Sequence, residues 1–245
     1  FVNLLIKVLG DDDVPSYLYK KDQNYQDKYP TIVALGIIGD AQAAEPLGQL
    51  LGDDGWKRNA SDAITSSLLK IGEPAVVPLV KALTRASDSA ATRIIANTLT
   101  KLKWKPETDE LLAFHLVAMK KWSDCAKLGA PAIEPLVKFL EKSSDWFGRT
   151  AAVKALGTIG DERAVEPLIK QISKKYGWLG IGKGYHKAVV SAITQIGEPA
   201  IIPLGELIAR EGVTEILQKI ARKNLKGDEK KNVLRFLESD DPAMV

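Results

Sequence analysis

Apolar residues recur along this chain at helical spacing, in short runs punctuated by glycine. In residues 152–159 (AVKALGTI), Ala152, Val153, Ala155, Leu156 and Ile159 fall at the intervals of an amphipathic helix. Gly160 predicts the end of that helix, because glycine takes the left-handed C-terminal cap without a Cβ penalty. Asp161 is then placed to cap a second helix. Pro167 falls near that helix's start, where a missing N–H costs least, and Leu168, Ile169 and Ile172 give it an apolar face. The pattern predicts an antiparallel helix pair joined by a tight turn. Neither helix can bury its apolar face alone, so stacked neighbours must supply the core.

The same pattern returns along the sequence, and internal repetition decides the architecture. Residues 32–51 read IVALGIIGDAQAAEPLGQLL and residues 152–172 read AVKALGTIGDERAVEPLIKQI, aligning without a gap through LGxIGDxxAxEPL. A variant one residue shorter in the turn stands at 68–83 (LLKIGEPAVVPLVKAL), 127–140 (KLGAPAIEPLVKFL) and 194–207 (TQIGEPAIIPLGEL). The prolines Pro46, Pro78, Pro135, Pro167 and Pro203 are spaced 32, 57, 32 and 36, so the base period is 32 with an insertion of about 25 residues in the long interval. Gly39, Gly72, Gly129, Gly160 and Gly197 each lie six or seven residues before a proline.

This wording resembles the HEAT repeat, and in particular the short phycobilisome-lyase-like HEAT subtype. ALGTIGDERAVEPL and KIGEPAVVPL carry the resemblance, and DWFGRTAAVKAL, with Arg149 ahead of the small-residue helix, also fits. It covers residues 30–210. The resemblance implies an all-α fold, an α-solenoid of antiparallel helix pairs in the armadillo/HEAT-like manner, and an interaction surface more than a defined chemistry. A fold of this kind does not fix a function.

Within that frame, the chain is expected to form one solenoid over residues 1–245. Residues 1–31 read as a half-unit and a polar connection. FVNLLIKVL looks like the second helix of a unit whose first helix is absent, as though the chain starts inside a repeat. Residues 32–210 hold about five units, with an extra helix expected in the insertion at 103–124, where Pro106 and Thr108 precede an apolar run from Leu111 to Met119. Residues 173–187 (SKKYGWLGIGKGYHK) read as a long inter-unit loop, and 211–245 as charged helices capping the C-terminal end.

Composition changes this picture little. With 45% apolar and 27% charged residues, the chain is expected to fold. No apolar run approaches a membrane span, and FVNLLIKVLGDDD lacks the basic leader and cleavage site of a signal peptide. The lone Cys125 cannot form an internal disulfide and reads as a buried, inert thiol. A cytoplasmic protein is the expectation. A net charge of +3 is too small to predict nucleic-acid binding by itself.

Candidate chemistry is sparse. Positions three and seven after each proline share one face of the second helix. They hold Gln49 and Asp53, Lys81 and Arg85, Lys138 and Lys142, Lys170 and Lys174, then Glu206 and Arg210. The three middle copies are basic at both positions, a stripe expected on the concave side of a HEAT stack. It could hold an acidic protein segment or a phosphate backbone, or be a solvated face favoured by the helix dipole. GWLGIGKG at 177–184 nearly matches a phosphate loop through Gly177, Gly182 and Lys183, but Gly184 stands where Ser or Thr belongs and no strand precedes it. A weaker anion nest at Gly182, Lys183 and His186 survives that mismatch.

Trp56, Trp146 and Trp178 each precede a first helix and are either partner anchors or local staples, while Trp104 and Trp122 bracket the insertion. His115 and His186 are far apart in sequence, and no Cys/His/Asp cluster has metal-ligand spacing. No catalytic residue, metal or cofactor is expected. The reading is a non-catalytic scaffold for a protein or peptide partner with an acidic segment. Two alternatives stand beside it: a bilin lyase or isomerase of the kind the subtype is named for, and nucleic-acid binding through the basic stripe.

Overall fold

A computed structural model describes residues 1–10, 24–52, 58–86, 89–172 and 181–201, with scattered positions from 218 to 234. The described residues form helices, in the order α1 (Val2–Gly10), α2 (Asn24–Ile38), α3 (Ala44–Gly52), α4 (Arg58–Ile71), α5 (Val76–Arg85), α6 (Ser89–Lys101), α7 (Asp109–Ala118), α8 (Trp122–Leu128), α9 (Ile133–Lys142), α10 (Trp146–Ile159), α11 (Val165–Ile172) and α12 (Ile181–Ile196). The fold is an all-α solenoid. The chain divides into two compact units, Phe1–Lys121 and Trp122–Val245. The C-terminal cap expected at 211–245 and the connection at 11–23 lie largely or wholly outside the described residues.

The glycine turns explain the two lengths of the repeat. In the longer version Gly160 adopts the left-handed conformation (φ 73°, ψ 15°), and its N–H closes on Leu156 O at 3.1 Å. Asp161 then sits in extended backbone and accepts a hydrogen bond from the Arg163 N–H at 2.9 Å. Asp40 does the same for the Gln42 N–H at 2.8 Å. In the shorter version one residue does both jobs. Gly72, Gly129 and Gly197 have φ of 80°, 78° and 83° with ψ of −137°, −135° and −130°, a region closed to residues bearing Cβ. Each opens directly into a single 3-10 turn that carries Pro74, Pro131 or Pro199.

In the first unit, first-type helices stack on one another, α2 on α4 and α4 on α6, while second-type helices stack as α1 on α3, α3 on α5 and α5 on α7. Between the layers lie Ile32, Leu35, Leu47, Leu51, Ile64, Leu68, Leu79, Leu83, Ile95 and Leu99, all buried. Each such side chain contributes about 1.5–3 kcal/mol through burial, which no single pair could collect. The extra helix of the insertion is α7. Thr108 caps it, its Oγ1 accepting from the Leu111 N–H at 3.3 Å. It pairs with α6, so the long proline interval contains a further helix pair whose turn lacks the glycine–proline wording.

The second unit stacks α8 on α10 and α10 on α12, with α9 against α10 and α11 against α12. The approach of α10 to α12 is so close that a Cβ on Gly157 would lie 2.7 Å from Ala192 Cα. In the first unit Gly36 plays the same part against Ser67, whose hydroxyl donates to Ile32 O at 2.9 Å. The first glycine of LGxIG is therefore a contact surface and the second a turn. Helix α12 begins at Ile181, inside the stretch expected as a loop. Burial of Tyr185, Val189 and Ile193 draws this segment into a helix despite Gly182 and Gly184. Similarly, α2 begins at Asn24 and runs through Pro30, ahead of the first clear repeat.

Candidate functional site

The second-type helices carry the charged residues singled out by spacing. On α9, Glu134, Glu141 and Lys142 are exposed and Lys138 is half-buried; on α11, Glu166 and Lys170 are exposed. Lys170 Nζ lies 2.7 Å from Glu166 Oε1, one turn earlier on the same helix. The hydrogen bond and charge of Glu166 hold the Lys170 ammonium above its ordinary pKa, with a smaller contribution from Glu141 on α9. Glu166 is correspondingly held below the usual carboxylate range. Lys138 is shifted the other way: burial, and then the neighbouring Lys142 charge, lower its pKa against a weaker opposing pull from Glu134.

The first unit shows a related arrangement. Lys81 Nζ on α5 is 3.4 Å from Glu45 Oε2 on α3, while Gln49 Nε2 donates to Glu45 Oε1 at 3.3 Å. Arg85 is exposed one turn beyond Lys81. Glutamate precedes the repeat proline in three copies, as Glu45, Glu134 and Glu166, and in the last two it stands one turn behind the register lysine, Lys138 or Lys170. That spacing was available in the sequence. It turns a purely basic stripe into a surface of alternating sign, and exposed pairs of this kind contribute little to stability. Lys174 lies outside the described residues.

The remaining candidates separate cleanly. Gly182, Lys183 and His186 fall on the first turns of α12, with His186 and Lys187 exposed; nothing is described of the side chain of Lys183. Trp146 is a local staple: half-buried, it meets Tyr185 edge-on with centroids 5.4 Å apart. Arg149, which is buried, lies 5.1 Å from the ring centroids of both Trp146 and Tyr185, and its Nη2 donates to Gln171 Oε1 at 2.7 Å. This cluster ties α10 to α11 and α12. Its members are too scattered in sequence to be read from a motif. Trp104 packs edge-on against His115 of α7 (centroids 5.9 Å apart), and Trp122 packs at a tilt against Phe139 of α9 (5.1 Å). Trp56 and Trp178 lie outside the described residues. Cys125 is fully buried, and burial first, then the Asp124 charge, push its thiol up to about 11, so it carries no thiolate chemistry near neutral pH.

Among the described residues no grouping of three His, Cys, Asp or Glu side chains could hold a metal ion, and no helix is long and apolar enough to cross a membrane. Within each unit, the exposed helix faces offer cationic and carboxylate groups one turn apart.

Comparison with known families agrees with this architecture. Residues 123–179 match the model for HEAT repeats, and residues 31–53 match that for the PBS lyase HEAT-like repeat. The chain thus carries HEAT repeats, one of them, at residues 31–53, of the PBS-lyase-like wording. A search of curated proteins finds no match.

Proposed function

We propose that this helical repeat protein is a binding scaffold whose second-type helices receive a protein segment rich in carboxylates. The observation that carries the reading is the set of cations at equivalent positions within each unit, exposed Lys81 and Arg85 in the first and half-buried Lys138 with exposed Lys142 and Lys170 in the second. Charges held at a fixed spacing on packed helices select partners by complementarity and steer their approach. The glutamates one turn behind make the surface selective as well as attractive: an acidic segment in the wrong register meets Glu134 or Glu166 and is repelled.

The test is comparative capture. Wild-type protein and the double variant Lys138→Glu, Lys170→Glu are used to recover partners from lysate with and without nuclease treatment, with quantification by mass spectrometry. The expected result is a stoichiometric partner held by wild type and weakened about tenfold in the variant, the loss of roughly one strong contact. Equal recovery by both proteins would remove the lysine register as the site. Capture that disappears on nuclease treatment would transfer the surface to nucleic acid.

A further inference from the structure

Helices α10 and α12 hold no Asp or Glu among their 14 and 16 residues. No acid occurs anywhere between Glu166 and Glu198, a stretch with five lysines, in a chain of 245 residues with 31 acids. The second-type helices of the same unit differ: on α9 and α11, Lys138 and Lys170 each have a glutamate one turn behind. The apolar side chains of α10 and α12 are turned inward. Ala152, Val153 and Leu156 of α10 and Tyr185, Val189 and Ile193 of α12 are buried, and the close approach of Gly157 to Ala192 holds the two helices side by side.

The polar side chains left in solvent include Lys154 on α10 and His186, Lys187, Ser191 and Gln195 on α12. Lys183, Lys187, Ser191 and Gln195 follow one another at intervals of four, so they stand along one side of α12. Neither Lys154 nor Lys187 makes an ion pair with a described residue. The carboxylates closest along the chain are engaged or stand past the helix ends. Asp145 caps α10, its Oδ1 accepting the Gly148 N–H at 3.0 Å, and Asp161 is paired with Arg163 at 2.8 Å. Glu162 and Glu198 belong to the turns beyond Gly160 and Gly197. On the neighbouring α8, Asp124 is matched by Lys127 at 3.8 Å. The face shared by α10 and α12 therefore offers cations and neutral donors, with no acid of its own.

We infer that the solvent face of α10 and α12 binds the phosphodiester backbone of nucleic acid. Such a backbone is negative at every nucleotide and presents acceptor oxygens, so ammonium, hydroxyl and amide donors suit it along its length. A peptide strand presents N–H donors as well as carbonyls and carboxylates. It is matched better by the mixed lysine and glutamate register of the second-type helices. The two surfaces lie on different helices, so this inference stands apart from the scaffold reading. Contacts to the backbone alone carry no base sequence, and binding is expected to be indifferent to it.

The test is fluorescence anisotropy of a short labelled DNA duplex of mixed sequence, titrated with the full chain at salt concentrations from about 50 to 200 mM. The expected result is binding at low salt whose logarithm falls against log salt with a slope of about −3, as three lysine–phosphate contacts require. The double variant Lys154→Glu, Lys187→Glu should bind about tenfold more weakly or worse, with a slope nearer about −1. Both side chains are exposed, so its thermal midpoint should match wild type. The variant Lys138→Glu, Lys170→Glu, which tests the scaffold reading, should leave duplex affinity unchanged, and a poly-glutamate peptide should displace the duplex poorly. Absence of binding at low salt, or binding indifferent to the changes at Lys154 and Lys187, would overturn the inference. Loss of binding in the Lys138 and Lys170 variant alone would move the contact to the second-type helices. Displacement by poly-glutamate as effective as by unlabelled duplex would reassign the face to acidic protein.

Discussion

The pair α10–α11 turns on Gly160, whose φ of 73° suits a residue without Cβ; the pair α6–α7 leaves its first helix through Lys103, at φ 58°. Lys120, at φ 56°, ends α7 in the same way. Both lysines close the full set of turn hydrogen bonds. The Trp104 N–H reaches Leu99 O at 3.0 Å and the Lys103 N–H reaches Thr100 O at 3.0 Å, while Lys121 reaches Leu116 O and Lys120 reaches Val117 O, each at 2.9 Å. The backbone solution is that of a glycine cap, with a side chain in a conformation that costs an L-residue about 1–2 kcal/mol. Packing is kept all the same: Ile95, Leu99, Ala113, Leu116 and Val117 are buried. The contrast teaches that the turn wording and the stacking of helices are separable, and that only the stacking is needed to continue the solenoid.

The largest expected effect lies on the stacking side. An added methyl at Gly157 would meet Ala192 Cα at 2.7 Å, and one at Gly36 would meet Ser67 Cα at 2.6 Å, so in both cases two helices must move apart. Gly157→Ala and Gly36→Ala should each lower stability by about 2 kcal/mol, overpacking outweighing the helix propensity gained. Gly184→Ala on α12 is the matched control, with no atom within 4 Å of the added Cβ, and should instead gain about 0.5–1 kcal/mol. Urea unfolding of the three variants checks this. If Gly157→Ala were as stable as wild type, close approach would not be what that glycine provides.

A smaller effect of opposite sign is expected at the lysine turns. Lys103→Gly and Lys120→Gly relieve the left-handed conformation and should each add about 0.5–1 kcal/mol, after allowing for the looser unfolded chain that glycine brings. Thermal midpoints that fall instead would show that these lysines contribute contacts through their side chains.

These pairs also show why some features were legible and others not. Gly39, Gly72, Gly129, Gly160 and Gly197 announce five turns, because φ near +70° to +80° is a local demand that only one residue type meets cheaply. The α6–α7 turn meets the same demand with lysine, so it left no mark on the repeat, and α7 stood out only through Thr108 and its apolar run. The start of α12 was hidden for a different reason. Gly182 and Gly184 signal a loop locally, and the burial of Tyr185 and Val189 that overrides them is tertiary. At the candidate site the cations were readable from a fixed offset to each proline, and the carboxylates Glu134 and Glu166 from the same offset. The Arg149–Gln171–Tyr185 cluster depends on three helices meeting, which no spacing encodes.

The smallest effect sharpens the comparison from within α7, where His115 replaces the simple apolar filling of the other second-type helices. Its ring packs edge-on against Trp104, and its Nε2 lies 3.4 Å from Thr100 Oγ1, a hydroxyl that itself donates to Ala96 O at 2.9 Å. With that donation made, Thr100 is left to accept, which places the imidazole proton on Nε2. Nδ1 is buried with no hydrogen-bond partner. A second proton there would put a charge where nothing accepts it. Burial first, and then the Lys121 charge, accordingly hold the His115 pKa below its ordinary value of 6.5. Between the folded and unfolded pKa values the unfolded chain binds more protons, so stability rises with pH across that window. The contribution of His115 is therefore complete above the unfolded value near 6.5 and is lost as pH falls through the folded one. Urea midpoints measured from pH 7.5 down to 5 should decline for wild type and decline less for His115→Gln, which keeps a polar group of similar reach and cannot titrate. Identical slopes in the two proteins would mean that the imidazole is hydrated in solution, and that α7 rests on α6 as loosely as its departure from the glycine turn allows.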